Sequence, residues 1–330
     1  MRRFSLCLIF VLSCSLPSAR TFAADKWIHA TSPHFDMYAA ESEADARAAL
    51  QHLEAVRAYF SAATRSQDPG GRPVRIVVFH SEGDFNKYKP AEYVAAKAYP
   101  VAGEHPTIVA LGLKPEIYEK IFLEYCEMVM DESAPQLPYW LRAGLAQFYS
   151  TLKPGEASIK LGAPPTRAFH THPTTGVDMP QLVEVQRGTY LASRSKLADD
   201  FFADTSSNKA LGKGAAATTA MNGVQTKLSQ DFEGQTWALT HMLMFSPDYS
   251  KKVGELIAAM GSGQDTGTAF NSVYGRSVAQ VGTDLDLYMR QSGLAVTTKS
   301  FKYENSVPQV EAATKEEQDR IVADLGRKGK

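Results

Sequence analysis

Apolar and polar residues repeat along the first half of the chain with two different periods, one helical and one extended. Apolar side chains recur at three- and four-residue intervals in residues 41–63, which predicts an amphipathic helix. Runs rich in β-branched residues at 74–80 and 107–113 predict two interior strands. Residues 26–40 predict one or two short strands interrupted by a proline. The apolar positions of the helix are Ala46, Leu50, Leu53, Val56, Tyr59 and Phe60.

Helical periods dominate the rest of the chain. Pro115 is placed to open a helix that runs to about residue 131, and residues 139–152 predict a second helix. The charged end of the chain has a narrow apolar stripe that predicts a last helix, and the low-complexity stretch 206–223 predicts a surface loop. Other predicted elements are helices at 230–245, 249–260 and 277–292 and short strands at 157–162 and 298–304.

This order of elements, strands first and helices later, favours an α+β fold. We expect an α/β part at residues 25–152, a mainly helical part at 153–305 and a charged helical tail at 306–330. The length of the chain allows two modest domains or one larger domain with a sizeable core.

The first 24 residues have the organisation of a secretory signal peptide. Arg2 and Arg3 precede a short apolar run, and Ala23 and Ala24 offer a cleavage site. This run is too short to span a bilayer comfortably, and no later segment has the apolar length of a membrane helix. We therefore expect a periplasmic or secreted protein without a membrane span. A lipoprotein signal, with a lipid anchor on Cys14, is the alternative.

Composition agrees with a folded, exported chain. Hydrophobic residues make up 44% of the sequence and charged residues 22%, which is typical of a globular protein. The net charge is −1, and no basic stripe with interleaved aromatic residues is present, so the sequence predicts no nucleic-acid partner. Cys126 is the one cysteine outside the predicted signal peptide, so a mature chain of this sequence cannot form an internal disulfide.

Two neighbouring segments carry candidate chemistry: "LEYCE", residues 123–127, and "LPYWLRAGLAQFYS", residues 137–150. Here the chain resembles the secreted, peptidase-MA-like members of the gluzincin zinc metallopeptidases. Those proteins carry His-Glu-Tyr-x-His and then Leu-Pro-x-Trp-Leu-x-Glu-Gly-Leu-Ala-Glu-Phe-Tyr-Ser. Similar segments at 32–60, 75–99 and 234–245 extend the resemblance over most of residues 27–295. The resemblance implies a zincin-like fold, with an N-terminal mixed sheet and an active-site-like helix pair.

The departures from the family pattern fall on the metal site. In the family, two histidines one helical turn apart and a glutamate of the next helix hold zinc, and the glutamate after the first histidine activates water. This chain has Leu123, Glu127 and Ala143 at the ligand positions and keeps Glu124 at the general-base position. Leucine and alanine have no donor atom, and one carboxylate does not hold a metal against water. The resemblance therefore implies a pseudopeptidase without zinc.

Such a protein is expected to bind a peptide or another exported protein in the former active-site cleft, with Glu124 as a vestigial general base. The competing interpretation of the first helix is ordinary core packing, since its apolar residues form a stripe at helical spacing. His241 has two interpretations, a cleft residue or a satisfied, partly buried histidine. The residues expected to line the cleft are Leu123, Tyr125, Glu127, Ala143 and His241.

Two other functions stay open from the sequence alone. An active hydrolase with a rearranged site would use Glu124 as base, helped by His241 or by the pair His170 and His172. In an extended chain the side chains of this pair lie on one face, an arrangement that occurs in some metal sites. The alternative interpretation of the pair is a solvated loop. An envelope structural or assembly protein would instead use the tail, residues 306–330, as a docking helix.

Overall fold

The computed structural model describes residues 27–93, 96–101, 103–165, 178–188, 190–191, 232–291 and 293–326. The predicted signal peptide with Cys14, the stretch 206–223 and the pair His170 and His172 lie outside the described residues. Within the described part of the chain, no helix has the length and apolar character needed to cross a membrane.

A six-stranded mixed sheet forms the centre of the structure. Strands β2, β3 and β5 run parallel to one another, whereas β1, β4 and β9 are antiparallel to their neighbours. The order across the sheet is β4-β5-β3-β2-β1-β9, so β4 and β9 are the edge strands. The strands are β1 (Ile28–Thr31), β2 (Phe35–Ala39), β3 (Val74–Phe79), β4 (Ala98–Val101), β5 (Thr107–Leu111) and β9 (Gln309–Ala312).

Helices cover both faces of this sheet. Ile76 and Val78 of β3 pack with helices α1 (Glu43–Thr64) and α3 (Pro115–Ser133) in one hydrophobic cluster. Val77 and Phe79 point to the other face, where they share a second cluster with the last helix, α10 (Lys315–Gly326), and with the short helix α2 (Glu82–Lys87). A strand buried on both faces is apolar at nearly every position, which explains the continuous apolar run in the sequence.

The remaining elements build a small sheet and a helical layer. Strands β6 (Lys153–Gly155), β7 (Ser158–Leu161) and β8 (Thr297–Ser300) form a three-stranded antiparallel sheet. Helix α4 packs along α3 and continues the same hydrophobic cluster. The helices are α4 (Tyr139–Ser150), α5 (Met179–Glu184), α6 (232–245), α7 (Val253–Gly261), α8 (Thr266–Tyr274) and α9 (Val278–Met289).

The predicted α+β class and the mixture of helices with a mixed sheet are confirmed. Capping side chains and a proline mark the starts of three helices. The Ser42 side chain caps α1 by accepting from the Asp45 N–H, and Ser81 caps α2 in the same way. Pro115 occupies the first turn of α3, where its missing N–H costs no helical hydrogen bond.

The predicted helix in the charged tail is present, but a strand that the sequence did not indicate precedes it. Residues Gln309–Ala312 form β9, which pairs antiparallel with β1, and the helix starts only at Lys315. Half-buried Val310 packs against the main cluster, while its neighbours in β9 remain exposed. A four-residue strand at a sheet edge has no periodicity long enough to be recognised, because its pairing partner lies far away in the sequence.

Candidate functional site

Helices α3 and α4, which carry the metallopeptidase-like motif, are held together by apolar packing and one ion pair. Trp140 of α4 is fully buried, and its indole N–H donates to Thr266 Oγ1 at 3.1 Å. Arg142 of α4 pairs with Asp131 of α3, and its Nε donates to the Leu137 carbonyl at 3.1 Å. The ion pair therefore ties the start of α4 to the end of α3.

The positions that correspond to the family's metal ligands lie largely inside this packing. Leu123 is 8% exposed and Ala143 is 4% exposed, and both belong to the main hydrophobic cluster. Glu124, at the general-base position, is also 8% exposed. These positions are closed to bulk solvent, so the chain does not present them on an open surface. Glu127, in contrast, is only half-buried.

Tyr125 packs in the core, on the side of α3 opposite to Leu123 according to helical spacing. It is fully buried, and its hydroxyl donates to Asp68 Oδ1 at 2.7 Å. The same carboxylate accepts two hydrogen bonds from Arg57, at 2.9 and 2.8 Å. Burial and the bond to Asp68 raise the pKa of Tyr125. Tyr125 thus fastens α3 to the chain before β3 and does not line a cleft.

His241, on α6, is a fully buried histidine whose two ring nitrogens both have partners. Nε2 lies 2.9 Å from the Ala295 carbonyl and 3.2 Å from the Gly162 carbonyl, and Nδ1 lies 2.7 Å from the Tyr288 hydroxyl. Carbonyls only accept, so Nε2 carries the proton and Nδ1 accepts from the Tyr288 hydroxyl in the neutral ring. Burial lowers the pKa of His241 and keeps the ring neutral. Of the two predictions for His241, the structure therefore favours a buried histidine with satisfied hydrogen bonds over a residue that lines a cleft.

An open cleft of about 1250 Å³ lies beside the second half of α3. Its walls come from α3, from the edge strand β4, from the segment 87–93 after α2 and from the end of α10. Of the residues predicted to line a cleft, Glu127 lines this one. The residues that line it include Tyr88, Lys89, Pro100, Val101, Glu127, Met128, Asp131 and Arg187.

A chain of ion pairs crosses the floor of the cleft. Arg187 Nη2 lies 3.9 Å from Glu127 Oε2, and Arg187 Nη1 lies 3.4 Å from Asp131 Oδ2. Asp131 in turn pairs with Arg142 of α4. Burial disfavours the Arg187 guanidinium, but the charges of Glu127 and Asp131 outweigh this cost and raise the pKa of Arg187. The Arg187 guanidinium therefore provides positive charge beside the Glu127 carboxylate. Sequence reasoning missed Arg187, because nothing in its neighbourhood marks it as a partner of α3.

Among the residues that the structure describes, β4 is an edge strand of the sheet, and two of its residues line the cleft. Leu111 N–H donates to the Lys97 carbonyl at 3.0 Å, which places the following pair, Ala98 and Ala110, in a non-hydrogen-bonded position of the antiparallel ladder. The N–H and carbonyl of Ala98 therefore point away from β5. Pro100 occupies the next such position, so its missing N–H leaves the ladder intact. Ala98 is 2% exposed, so the Pro100 carbonyl is the outward group of this strand that belongs to a cleft-lining residue.

Metal ligands do not cluster in the part of the chain that the structure describes. No group of three or more His, Cys, Asp or Glu side chains there has a geometry suited to a metal ion. Whether the protein takes up zinc stays a prediction that needs a measurement.

The chain was compared with known proteins in three ways. A scan against protein-family models, a search of curated proteins and a search of solved structures each found no match. The function is therefore argued below from the geometry of the cleft and from the resemblance of its helices.

Proposed function

We propose that this chain is an exported, catalytically inactive metallopeptidase-like protein that binds an extended peptide segment, free or part of another exported protein, in the cleft between α3 and β4. The motif-bearing helix supports this function because it forms one wall of the cleft and carries leucine and glutamate at the two histidine positions. Peptidases of the gluzincin type bind extended substrates beside an edge strand, and backbone pairing of this kind needs no metal.

The observation that carries the proposal is the size of the cleft together with its edge strand. Small-molecule sites usually occupy about 300–1,000 Å³ and enclose their ligand. The cleft here is larger, about 1250 Å³, and open along one side. Pro100 and Val101 of β4 line it, so a peptide lying in the cleft has a strand edge within reach. Of the outward backbone groups of β4, the Pro100 carbonyl belongs to a residue that lines the cleft and is the group offered for pairing.

Binding is tested with purified mature protein and a library of unstructured peptides, followed by affinity measurements on the selected sequences. Val101→Asp places a charge on the part of β4 that lines the cleft, so we expect the affinity for apolar peptides to fall at least about fivefold. Met128→Trp narrows the cleft and should weaken the same peptides. Leu287→Trp, at a surface position 61% exposed, is the control and should bind like the wild type. Unchanged affinity in both cleft variants would argue against the proposal.

Two further experiments test whether the protein lacks zinc and peptidase activity. Elemental analysis of the purified protein should find no stoichiometric zinc, since two of the three ligand positions hold hydrocarbon side chains. Peptide hydrolysis should be equally undetectable in the wild type and in Glu124→Gln. Hydrolysis that disappears in Glu124→Gln would support instead an active hydrolase with Glu124 as base.

A further inference from the structure

The C-terminal segment, residues 309–326, is attached to the rest of the described chain by few buried contacts. Among the described strands β9 pairs with β1, and three of its four residues are exposed. Helix α10 has two buried side chains, Ile321 and Leu325, among its twelve residues. A part of a protein with few buried apolar contacts is the part that opens locally at the lowest free energy.

A row of acidic and basic side chains also joins both ends of this segment to the sheet. Glu311 of β9 lies 3.5 Å from His29 Nδ1, and His29 Nε2 lies 2.6 Å from Asp36. Arg75 lies 3.8 Å from Asp36 through Nε and 3.5 Å from Asp324 of α10 through Nη1. The side chain of Glu311 is 76% exposed and that of Asp324 is 39% exposed. Pairs that are this exposed stabilise a fold only slightly, so they hold the segment weakly.

Leu325 of α10 stands between two cavities. It lines the cleft described above and a smaller cavity of about 160 Å³. Val101 and Glu104 also line both cavities, and Ile321 and Asp324 of α10 line the smaller one. Because α10 contributes to the wall of each cavity, its departure from the sheet would join them into one longer groove.

The strand and the helix of this segment follow each other without a loop. Ala313 donates its N–H to the Trp27 carbonyl at 2.9 Å and so continues the pairing of β9. The next residue, Thr314, already belongs to the start of α10, since its N–H donates to the Glu317 carboxylate at 2.8 Å. The two elements therefore have no flexible link through which one could move while the other stays in place.

We propose that residues 309–326 form a strap that detaches as one unit while the rest of the protein stays folded, and that its detachment lengthens the cleft. The detachment itself does not depend on what the cleft binds. The effect on the cleft rests on the proposed peptide binding.

Hydrogen exchange of the whole protein under native conditions, followed by mass spectrometry, tests the detachment. Relative to their intrinsic rates, the amides of β9 and α10 should exchange at least about 100-fold faster than those of the interior strand β3. Equal protection of the strap and β3 would overturn the proposal, because the segment would then open only in global unfolding.

A disulfide that fixes β9 tests whether the strap moves as one unit. Since Ala313 bonds to Trp27, the adjacent pair Ile28 and Ala312 is a non-hydrogen-bonded pair of the ladder. The Cα atoms of such a pair lie about 4.5 Å apart, within the range of disulfides. Ile28→Cys and Ala312→Cys are therefore combined in one chain, and its reduced form is the matched control. Cys126 does not interfere, because it is buried and burial raises its pKa.

Oxidation of this variant should slow exchange in α10 as well as in β9 by at least about tenfold, and reduction should reverse both effects. Slower exchange in β9 with α10 unchanged would show two independent parts and would contradict the proposal.

The same two forms test the effect on the cleft. For peptides long enough to pass Leu325, we expect affinity to be at least about fivefold weaker in the oxidised form. Equal affinity of both forms would remove the role of the strap at the cleft. If no peptide binds either form, the proposed function fails together with that role, and the exchange rates decide the detachment on their own.

Discussion

At the scale of single residues, burial and hydrogen bonding set the protonation state of two histidines, His241 and His52. His241 has both ring nitrogens engaged and a pKa lowered by burial. Burial, and secondly the charge of Lys153, lower the pKa of His52 to about 4. The centroid of its ring lies 5.2 Å from the centroid of the Tyr118 ring. Both rings therefore act as neutral packing groups at neutral pH. This environment gives His241 a packing role and offers no support for a helper role in a rearranged hydrolase site.

These two histidines make the protein less stable in mild acid. In the unfolded chain each takes up a proton near pH 6.5, whereas the folded protein resists protonation, so the free energy of unfolding falls as the pH drops below about 6.5. Between pH 7 and pH 5 the His52 contribution is about 2 kcal/mol. We expect the free energy of unfolding of His52→Gln, measured with urea, to fall by about 2 kcal/mol less than that of the wild type between pH 7 and pH 5. His80→Gln, at an exposed site, is the control and should behave like the wild type. An equal loss in His52→Gln and the wild type would contradict the assignment.

Among the elements, α4 and α6 approach each other through one glycine. A Cβ built on Gly144 would lie 2.2 Å from Thr240 Oγ1 and 2.6 Å from the Thr236 carbonyl oxygen. The second contact is with backbone, which cannot move aside by a change of rotamer. Gly144 is therefore required by the close helix crossing and belongs to the packing of α4, the helix that carries Ala143.

Gly144→Ala should destabilise the protein by about 1–3 kcal/mol through overpacking, despite the better helix propensity of alanine. Gly254→Ala is the matched control, because Gly254 is exposed in α7 and nothing lies within 4 Å of its added Cβ. The control should be neutral or stabilising by up to about 1 kcal/mol. Chemical denaturation of both variants measures the difference, and equal stabilities would refute the close crossing.

The last helix is the other element whose role changes with the structure. Ile321 is fully buried and Leu325 is 6% exposed in the cluster on the second face of the sheet. Arg75 of β3 lies 3.5 Å from Asp324 of the same helix. The apolar stripe of α10 therefore packs on the sheet of its own chain. This contact weakens the hypothesis that the tail helix docks on an envelope partner.

Ile321→Ala tests this packing. We expect a loss of about 2–4 kcal/mol in the free energy of unfolding, since the substitution leaves a cavity against the sheet. Leu287→Ala, on the surface of α9, should change stability by no more than about 0.5 kcal/mol. If Ile321→Ala is as stable as Leu287→Ala, α10 does not pack on the sheet in solution.

At the scale of the whole molecule, the question is whether the two motif helices bring the former ligand positions together. Leu123→His, Glu127→His and Ala143→Glu, combined in one chain, restore the family's ligand set. We expect this variant to retain about one zinc per chain after dialysis, because three ligands and a water complete a tetrahedral site. The matched control combines Leu123→Asn, Glu127→Gln and Ala143→Gln, which have similar size and weaker ligands. A folded triple variant without zinc would remove the basis of the pseudopeptidase proposal.

Elements that stabilise themselves locally are those that the sequence predicted well. The helices α1 and α3 have long apolar repeats and recognisable starts at Ser42 and Pro115, and β3 has a continuous apolar run. Helix α8 was missed because its residues, rich in Thr, Ser and Gly, have low helix propensity, although Asp265 caps it. Strand β4 was missed because it is short and contains Pro100, which is tolerated only at an edge.

The sequence by itself determined the helix and strand periods, the likeness of the α3–α4 segment to a metallopeptidase, and the hydrocarbon side chains at Leu123 and Ala143. Only the tertiary structure decided that the cleft lies along Glu127 and Asp131, and that Arg187 pairs with both carboxylates. It also decided that β9 and β4 are the two edge strands of the described sheet. Periodicity records which face of an element is buried, but contacts between distant segments depend on how the elements pack.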